Sequence, residues 1–273
     1  MSDAARARVK APVEALRDSL RKSREALRDA YLAGKTANWL LRAHARLIDR
    51  TLQGLWRDYG PSSGMALVAT GGYGRGELFP SSDVDVLILL AGEPASAERE
   101  RLEQMIGLFW DVGLEIGHSV RTVDACIETA RTDITIETSL LEARLLAGNA
   151  ALFRRLSRAL AKSLDPVAFL KAKKLEQEQR HAKHRDTPYA LEPNLKEAPG
   201  GMRDLQVIRW IARACAIGKH WPDLASRGLL QHGEARRLAR HESMLQDLRI
   251  RLHYLAGRRE DRIAFDYQDA LAL

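Results

Sequence analysis

The stretch from Met65 to Leu90 constrains this chain more than any other. Two short apolar runs are joined by a glycine-rich segment that ends in Asp83-Val84-Asp85. Met65 to Thr70 predicts one strand and Val84 to Leu90 a second, because both are aliphatic, partly β-branched and bounded by turn residues. Residues i and i+2 of a strand share a face, so Asp83 and Asp85 lie side by side. Adjacent carboxylates repel unless a positive charge sits between them. A fold built on this stretch must present the start of the second strand where a cation can reach it.

The flanking sequence is helical. Residues 1–58 carry Val13, Leu16, Leu20, Leu27 and Tyr31, then Leu40, Ala43, Leu47, Thr51 and Leu55, at helical spacing, with Gly34 as a break. Tyr59-Gly60-Pro61-Ser62-Ser63-Gly64 reads as a stop and linker. Residues 96–112 predict a helix with Leu102, Met105, Ile106 and Phe109 as its stripe. Leu114 to Arg121 predicts a third strand, alternating through Ile116, His118 and Val120. From about residue 123 the pattern is helical again. Leu140, Leu141, Leu145 and Leu146 share one segment closed by Gly148-Asn149, and another ends at Asp165-Pro166. A basic helix over 167–185 precedes a proline-rich loop from Pro188 to Gly201, and helices follow over 202–217 and 233–256. The expected class is α/β (α+β): a small mixed sheet within residues 59–125, between helical regions 1–58 and 126–273. Phe265 to Leu273 looks like a helix with no stop signal, so the chain is expected to be part of something longer.

Composition narrows the partners. A net charge of +7 favours anionic ligands, but the arginines alternate with acids at helical spacing, as on solvated helix faces. Aromatics make up only 6% of the residues, so a stacking surface for nucleic acid is not expected. Cys126 and Cys215 stand alone, which argues against a disulfide framework and a zinc site. The N-terminus lacks an apolar signal region, and no apolar run is long enough to span a membrane; a cytoplasmic protein is expected.

Chemistry concentrates around the two aspartates. Mg²⁺ (or Mn²⁺) takes carboxylate oxygens and keeps positions for substrate phosphates. Gly71 and Gly72 permit close approach of backbone N–H groups to a triphosphate. Ser81 and Ser82 add hydroxyls, and Arg75 offers a fork for phosphate. A third carboxylate is expected on a neighbouring strand. Glu115 is one choice, Asp111 and Asp124 are others, and Glu115 as a plain exposed strand residue is equally open. The later loop combines Asn194, Lys196, Arg203 and Asp204, and Lys196 and Arg203 are candidates for triphosphate contact. Lys171, Lys173, Lys174, Arg180, Lys183 and Arg185 read as a solvated face rather than an RNA or protein contact, His181 and His184 as surface residues, and His118 as a satisfied histidine, in the core or behind the metal ligands, rather than a base.

Gly71-Gly72 followed by Asp83-x-Asp85 resembles the DNA polymerase β-like nucleotidyltransferases. Gly71-Gly72-Tyr73-Gly74-Arg75-Gly76-Glu77-Leu78-Phe79-Pro80 and Gly113 to Arg121 are similar to the protein-PII uridylyltransferases. Glu192-Pro193-Asn194-Leu195-Lys196-Glu197-Ala198-Pro199-Gly200-Gly201-Met202-Arg203-Asp204-Leu205-Gln206 is similar to them as well. The resemblance implies a polymerase β-like sheet, with UTP as substrate and a tyrosine of the PII signalling protein as acceptor. Pyrophosphate would be the second product. It also implies that the full-length family continues into a hydrolase domain of the HD type, which removes UMP, and two glutamine-sensing ACT domains, none of them visible in this sequence. Without those domains the chain is expected to be unregulated or poorly active. The superfamily often has an acid at the position of Gly117, and this chain does not. Transfer of another nucleotide and a non-catalytic nucleotide-binding regulator are the alternatives.

Overall fold

The computed structural model describes residues 3–61, 64–184, 187 and 189–272, with side chains from Pro12 onward. Met1, Ser2, Ser62, Ser63, Arg185, Asp186, Pro188 and Leu273 lie outside the described residues.

Helix α1 (Asp3–Leu32) gives way to α2 (Ala37–Tyr59) at Gly34, whose φ of +103° suits glycine. Thr36 caps α2 by accepting the Trp39 N–H at 3.2 Å. Strand β1 (Met65–Ala69) leads into a four-residue helical turn, α3 (Gly71–Gly74), where the sequence predicted open loop. Then come β2 (Val84–Leu90), α4 (Ser96–Asp111), β3 (Ile116–Thr122), α5 (Val123–Thr132) and α6 (Ile134–Leu141). The sheet is completed by β4 (Arg144–Gly148), and α7 (Ala150–Ser163) and α8 (Pro166–Lys183) follow. The chain ends with α9 (Met202–Ala214), α10 (Trp221–Ser226), α11 (His232–Ala256) and α12 (Phe265–Ala272).

The sheet order is β3-β2-β1-β4. β1 is antiparallel to β2 and β4, whereas β2 and β3 run parallel, so the sheet is mixed. A parallel neighbour needs a crossover, and α4 supplies it. Val84, Val86, Ile88 and Leu90 of β2 join Met65, Leu67 and Ala69 of β1 in one core with Ile48, Leu52 and Leu55 of α2 and Met105 and Phe109 of α4. Asp85 belongs to the opposite face of β2, by the alternation of the strand.

Strand β4 corrects the sequence-based expectation of one helix through Leu140–Leu146. The two leucine pairs are split at Glu142-Ala143: Leu140 is buried at the end of α6, and Leu146 is buried from an edge strand. Tertiary pairing with β1 overrides a spacing that suits a helix equally well. Gly148 has φ +85°, and a β-carbon there would lie 2.5 Å from Met65 O, so the strand needs glycine at its end. α10 was likewise not anticipated.

The described chain divides into two compact units. The first takes in the residues up to Leu78, Ser82–Thr132 and Glu142–Lys162. The second takes in Phe79–Ser81, Asp133–Leu141 and the chain from Ser163 onward. Its apolar clusters are smaller: Phe169, Val207, Trp210 and Ala214 form one, Trp221, Leu224 and Ala235 another, Leu195, Leu252 and Leu271 a third.

Candidate active site

Asp83 and Asp85 are exposed, while Val84 between them and Val86 after them are buried. This alternation puts both acids on the solvent-facing side at the start of β2, as the sequence predicted. The Thr70 N–H donates to Asp85 O at 3.0 Å, so the end of β1 and the Gly-Gly turn start beside the second aspartate.

The turn is built, rather than loose. Gly71 has φ +54°. Gly74 and Arg75 N–H groups donate back to Thr70 O and Gly71 O at 2.8 and 3.1 Å, and the Glu77 N–H reaches Gly72 O at 3.0 Å. A β-carbon on Gly74 would lie 2.3 Å from Glu142 O, so only glycine lets the turn pack there. Tyr73 is buried, and its hydroxyl donates to Asp49 of α2 at 2.7 Å. Arg144 of β4 holds the same carboxylate with two bonds of 2.8 and 3.0 Å and donates to Tyr73 O at 3.3 Å. Burial, with the Asp49 carboxylate adding to it, pushes the Tyr73 hydroxyl far above its ordinary value, so it stays a neutral donor.

Arg75 is placed differently from the sequence-based expectation of a phosphate fork. Its Nε donates to Glu77 at 3.0 Å and its Nη1 to Glu142, with only 12% of its side chain exposed. Burial alone would lower its pKa, but Glu77 and Glu142 outweigh that and raise it. As placed, Arg75 secures the turn to Glu142, two residues before β4. Ser82 is half-buried just ahead of Asp83. Ser81 belongs to the second unit, where its N–H meets His253 Nδ1 at 3.4 Å.

Glu115 sits just before β3. Its carbonyl accepts the Val84 N–H at 2.8 Å, just ahead of the first register pair, Val84↔Ile116. It is exposed, and its charge acts on Arg24 of α1, whose Nε is buried without a hydrogen-bond partner; burial lowers the Arg24 pKa and Glu115 opposes that. Asp124 lies 3.5 Å from Arg155 in an exposed ion pair, and Asp111 offers its carbonyl to Arg17. Among the described residues no three His, Cys, Asp or Glu side chains are gathered for a metal. The donor set fits a hard divalent ion held by two carboxylates, with its remaining positions left to phosphates and water. Gly117 stands opposite Asp85 in the register, and a β-carbon there would lie 2.6 Å from Asp85 Oδ1. An acid at this position would collide with the second aspartate. His118 is exposed and meets Trp110 edge-on at 5.9 Å, so it is not a packed core histidine.

In the second unit, the Asn194 side chain accepts the Lys196 and Glu197 N–H groups at 3.0 and 2.7 Å, an Asx-type turn. Lys196 and Arg203 both lie against Glu197, at 3.4 and 3.2 Å. Burial and the neighbouring Arg203 lower the Lys196 pKa. Burial pushes Glu197 up, but Arg203 and Lys196 outweigh it and hold it low. Asp204 ties Gln177, Arg180, His181 and the Gly200 N–H together at 2.9, 2.5, 3.0 and 2.8 Å. His181 and Arg180 are thus half-buried and held by Asp204 rather than freely solvated. Lys173 corrects the solvated-face expectation further: it is buried, 2.7 Å from Glu176 and 4.7 Å from the Trp210 ring centroid.

Sequence reasoning missed Asp49, Glu142, Arg144, Arg249, His253 and Asp261. Asp49, Arg249 and His253 are polar residues within helices, Arg144 is on a strand, and Glu142 and Asp261 lie between elements; what each holds becomes evident only in the folded chain. Glu142-Ala143-Arg144, a charged interruption between leucine pairs, was the one signal present.

Residues 49–121 match a family described as "Nucleotidyltransferase domain", and residues 168–273 one described as "GlnD PII-uridylyltransferase". A bifunctional uridylyltransferase/uridylyl-removing enzyme of Nitrosospira multiformis is 51% identical over 95% of this chain and 30% of its own length. Those of Cupriavidus pinatubonensis and Thiobacillus denitrificans are each 54% identical, over 94% and 96% of this chain and 30% and 31% of theirs. The chain thus spans about 30% of the length of the curated relatives it matches. No helix among the described residues is long and apolar enough to cross a membrane.

Proposed function

We propose, from its similarity to the bifunctional uridylyltransferase/uridylyl-removing enzymes, that the chain belongs to their family and transfers UMP from UTP to a tyrosine hydroxyl of the PII protein, releasing pyrophosphate. The observation that carries the proposal is the exposed pair Asp83 and Asp85 at the start of β2, hydrogen-bonded through Asp85 O to the residue that begins the Gly71-Gly72 turn. The nucleotidyltransferase core is assigned to residues 59–125, extended by β4 (Arg144–Gly148), which completes its sheet, with helical regions on either side, in the cytoplasm.

Asp83 and Asp85 would hold Mg²⁺ (or Mn²⁺), with Glu115 as the third carboxylate. When bound, the ion would stabilise charge on the phosphoryl oxygens and acidify the attacking hydroxyl. The turn at Gly71-Gly72 brings backbone close to the triphosphate, and Ser81 and Ser82 add donors. In-line attack on the α-phosphorus needs the chain to hold nucleotide and acceptor in one geometry, and a turn braced by Tyr73 and Arg75 suits that task. Lys196 and Arg203 supply charge for the pyrophosphate leaving group.

The test is transfer of labelled nucleotide to PII with each NTP and Mg²⁺. UMP transfer that falls by at least about 100-fold in Asp83→Asn and Asp85→Asn is the expected result. Preferential AMP transfer would overturn the uridylyl assignment. Binding of UTP without any transfer would make the chain a nucleotide-binding regulator.

A further inference from the structure

Two stretches singled out in the sequence, Phe79–Ser81 and Pro193–Asp204, share one anchor in the second unit: Asp261. Its Oδ1 accepts Arg249 Nε at 2.5 Å and lies 3.7 Å from His253 Nε2. The Arg249 guanidinium stands 4.0 Å from the centroid of the Phe79 ring. His253 Nδ1 accepts the Ser81 N–H at 3.4 Å, and its ring is tilted against Phe79 at 5.9 Å. On the backbone side, Asp261 O accepts the Leu195 N–H at 2.7 Å. The next residues continue the seam, with Arg262 bridging Asn194 and the Ile263 N–H donating to Pro193 O at 2.9 Å.

The side chains around Asp261 are out of water, and Asp261 itself is 17% exposed. Phe79, Arg249 and His253 are 3%, 5% and 1% exposed. A buried guanidinium needs a counter-ion, and Asp261 is the carboxylate in contact with it. A cation over a desolvated aromatic face is among the stronger contacts of this kind. Burial would raise Asp261, but His253 and Arg249 hold it well below the usual carboxylate range, so it stays charged. Removing that charge loosens Arg249, and through it the ring of Phe79.

We propose that Asp261 is a positioning residue for nucleotide binding. Through Arg249 and His253 it fixes Phe79–Ser81, the residues that run directly into Ser82-Asp83; through its own backbone it fixes Leu195, next to Lys196. This rests on the nucleotidyl-transfer reading, because Ser81, Ser82 and Lys196 matter only as groups that meet a triphosphate. Asp261 touches no substrate and acts only through its neighbours.

The experiment uses the full chain and its Asp261→Asn, Arg249→Met and Arg249→Lys variants, each checked for an unchanged melting transition. Amide hydrogen exchange at Ser81 and Leu195 is measured alongside UTP affinity by equilibrium dialysis with Mg²⁺, and KM and kcat for transfer. Asp261→Asn is expected to speed exchange at Ser81 and to weaken UTP binding, each about tenfold, with kcat changing far less. Arg249→Met should do the same, and Arg249→Lys, which keeps the cation over Phe79, should recover most of the loss. Unchanged exchange at Ser81 in Asp261→Asn overturns the proposal, and so does faster exchange with undiminished UTP affinity. If the unmutated chain transfers nothing but its UTP affinity still falls in Asp261→Asn, the positioning role stands and the transfer reading fails. Should Asp261→Asn not fold, Arg249→Lys against Arg249→Met decides the matter by the same two readouts.

Discussion

Asp85 on β2 faces Gly117 on β3 across the parallel pair, and a β-carbon at Gly117 would come within 2.6 Å of Asp85 Oδ1. The carboxylate rests against bare backbone, so its position depends on the absence of a side chain. Gly117→Ala is expected to push the carboxylate aside. Displacing a catalytic group by about 1 Å costs on the order of 100-fold in rate. The strand is at the sheet edge and the position is exposed, so stability should shift by no more than about 0.5 kcal/mol. Kinetics at increasing Mg²⁺, with a melting curve on the same samples, checks both halves. Full activity in Gly117→Ala would show that Asp85 need not lie where it does.

Arg75 separates an anchoring role from a ligand role. Its side chain is 12% exposed and that of Glu142 only 3%. Arg75→Ala takes the guanidinium away from the buried Glu142 carboxylate, and breaking such a pair costs about 3–5 kcal/mol. The expected outcome is a large drop in unfolding free energy, measured by urea denaturation. A variant with normal stability but a raised KM for UTP would restore the phosphate-fork role expected from sequence.

These two cases mark what the sequence carried. The strand–turn–strand unit was legible because its period, its glycines and its paired acids are local and agree with each other. Both aspartates came out exposed on one side of β2. What was not legible depends on partners distant in the chain. Arg75 looks like any loop arginine until Glu142 arrives from the start of β4. Leu145 and Leu146 look helical until β1 offers an edge to pair with. Lys173 looks solvated in a run of lysines until Trp210 and Glu176 enclose it.

Lys173 gives a third prediction. It is 1% exposed, and its amine lies 2.7 Å from Glu176, a side chain that is one-third open to water. Lys173→Met keeps the stem and volume and lets Glu176 hydrate, so unfolding free energy should stay within about 1 kcal/mol. Lys173→Ala opens a cavity beside Phe169 and Trp210 and should cost about 2–4 kcal/mol. Neither should alter the proposed UMP transfer while folded. An equal loss of transfer in both, at unchanged stability, would make Lys173 a docking residue after all.

His253 sets the pH dependence of the second unit. Burial, reinforced by the charge of Arg249, outweighs the nearby Asp261 and lowers its pKa below the ordinary 6.5. Its Nδ1 accepts the Ser81 N–H, which a protonated ring cannot do. Above pH 6.5 both folded and unfolded states hold a neutral ring, and this group gives no slope. As pH falls below 6.5 the unfolded chain takes up the proton first, so the unfolded state gains and stability drops. The slope cannot exceed about 1.4 kcal/mol per pH unit, and it ends once pH passes below the folded pKa. Asp261 acts in the same sense but at lower pH: its folded pKa is also depressed, so its contribution is kept until pH falls below the ordinary carboxylate value of 3.8. Between pH 6.5 and about 4.5 the slope belongs to His253 and to other histidines; below that Glu197, also depressed from its ordinary 4.5, adds to it. Urea unfolding at pH 7.5 and pH 5.5 should show the decline in the unmutated chain. His253→Gln keeps an acceptor for Ser81 without a titrating ring and should flatten it. An equal decline in the variant would assign the slope to another group and remove His253 from the account.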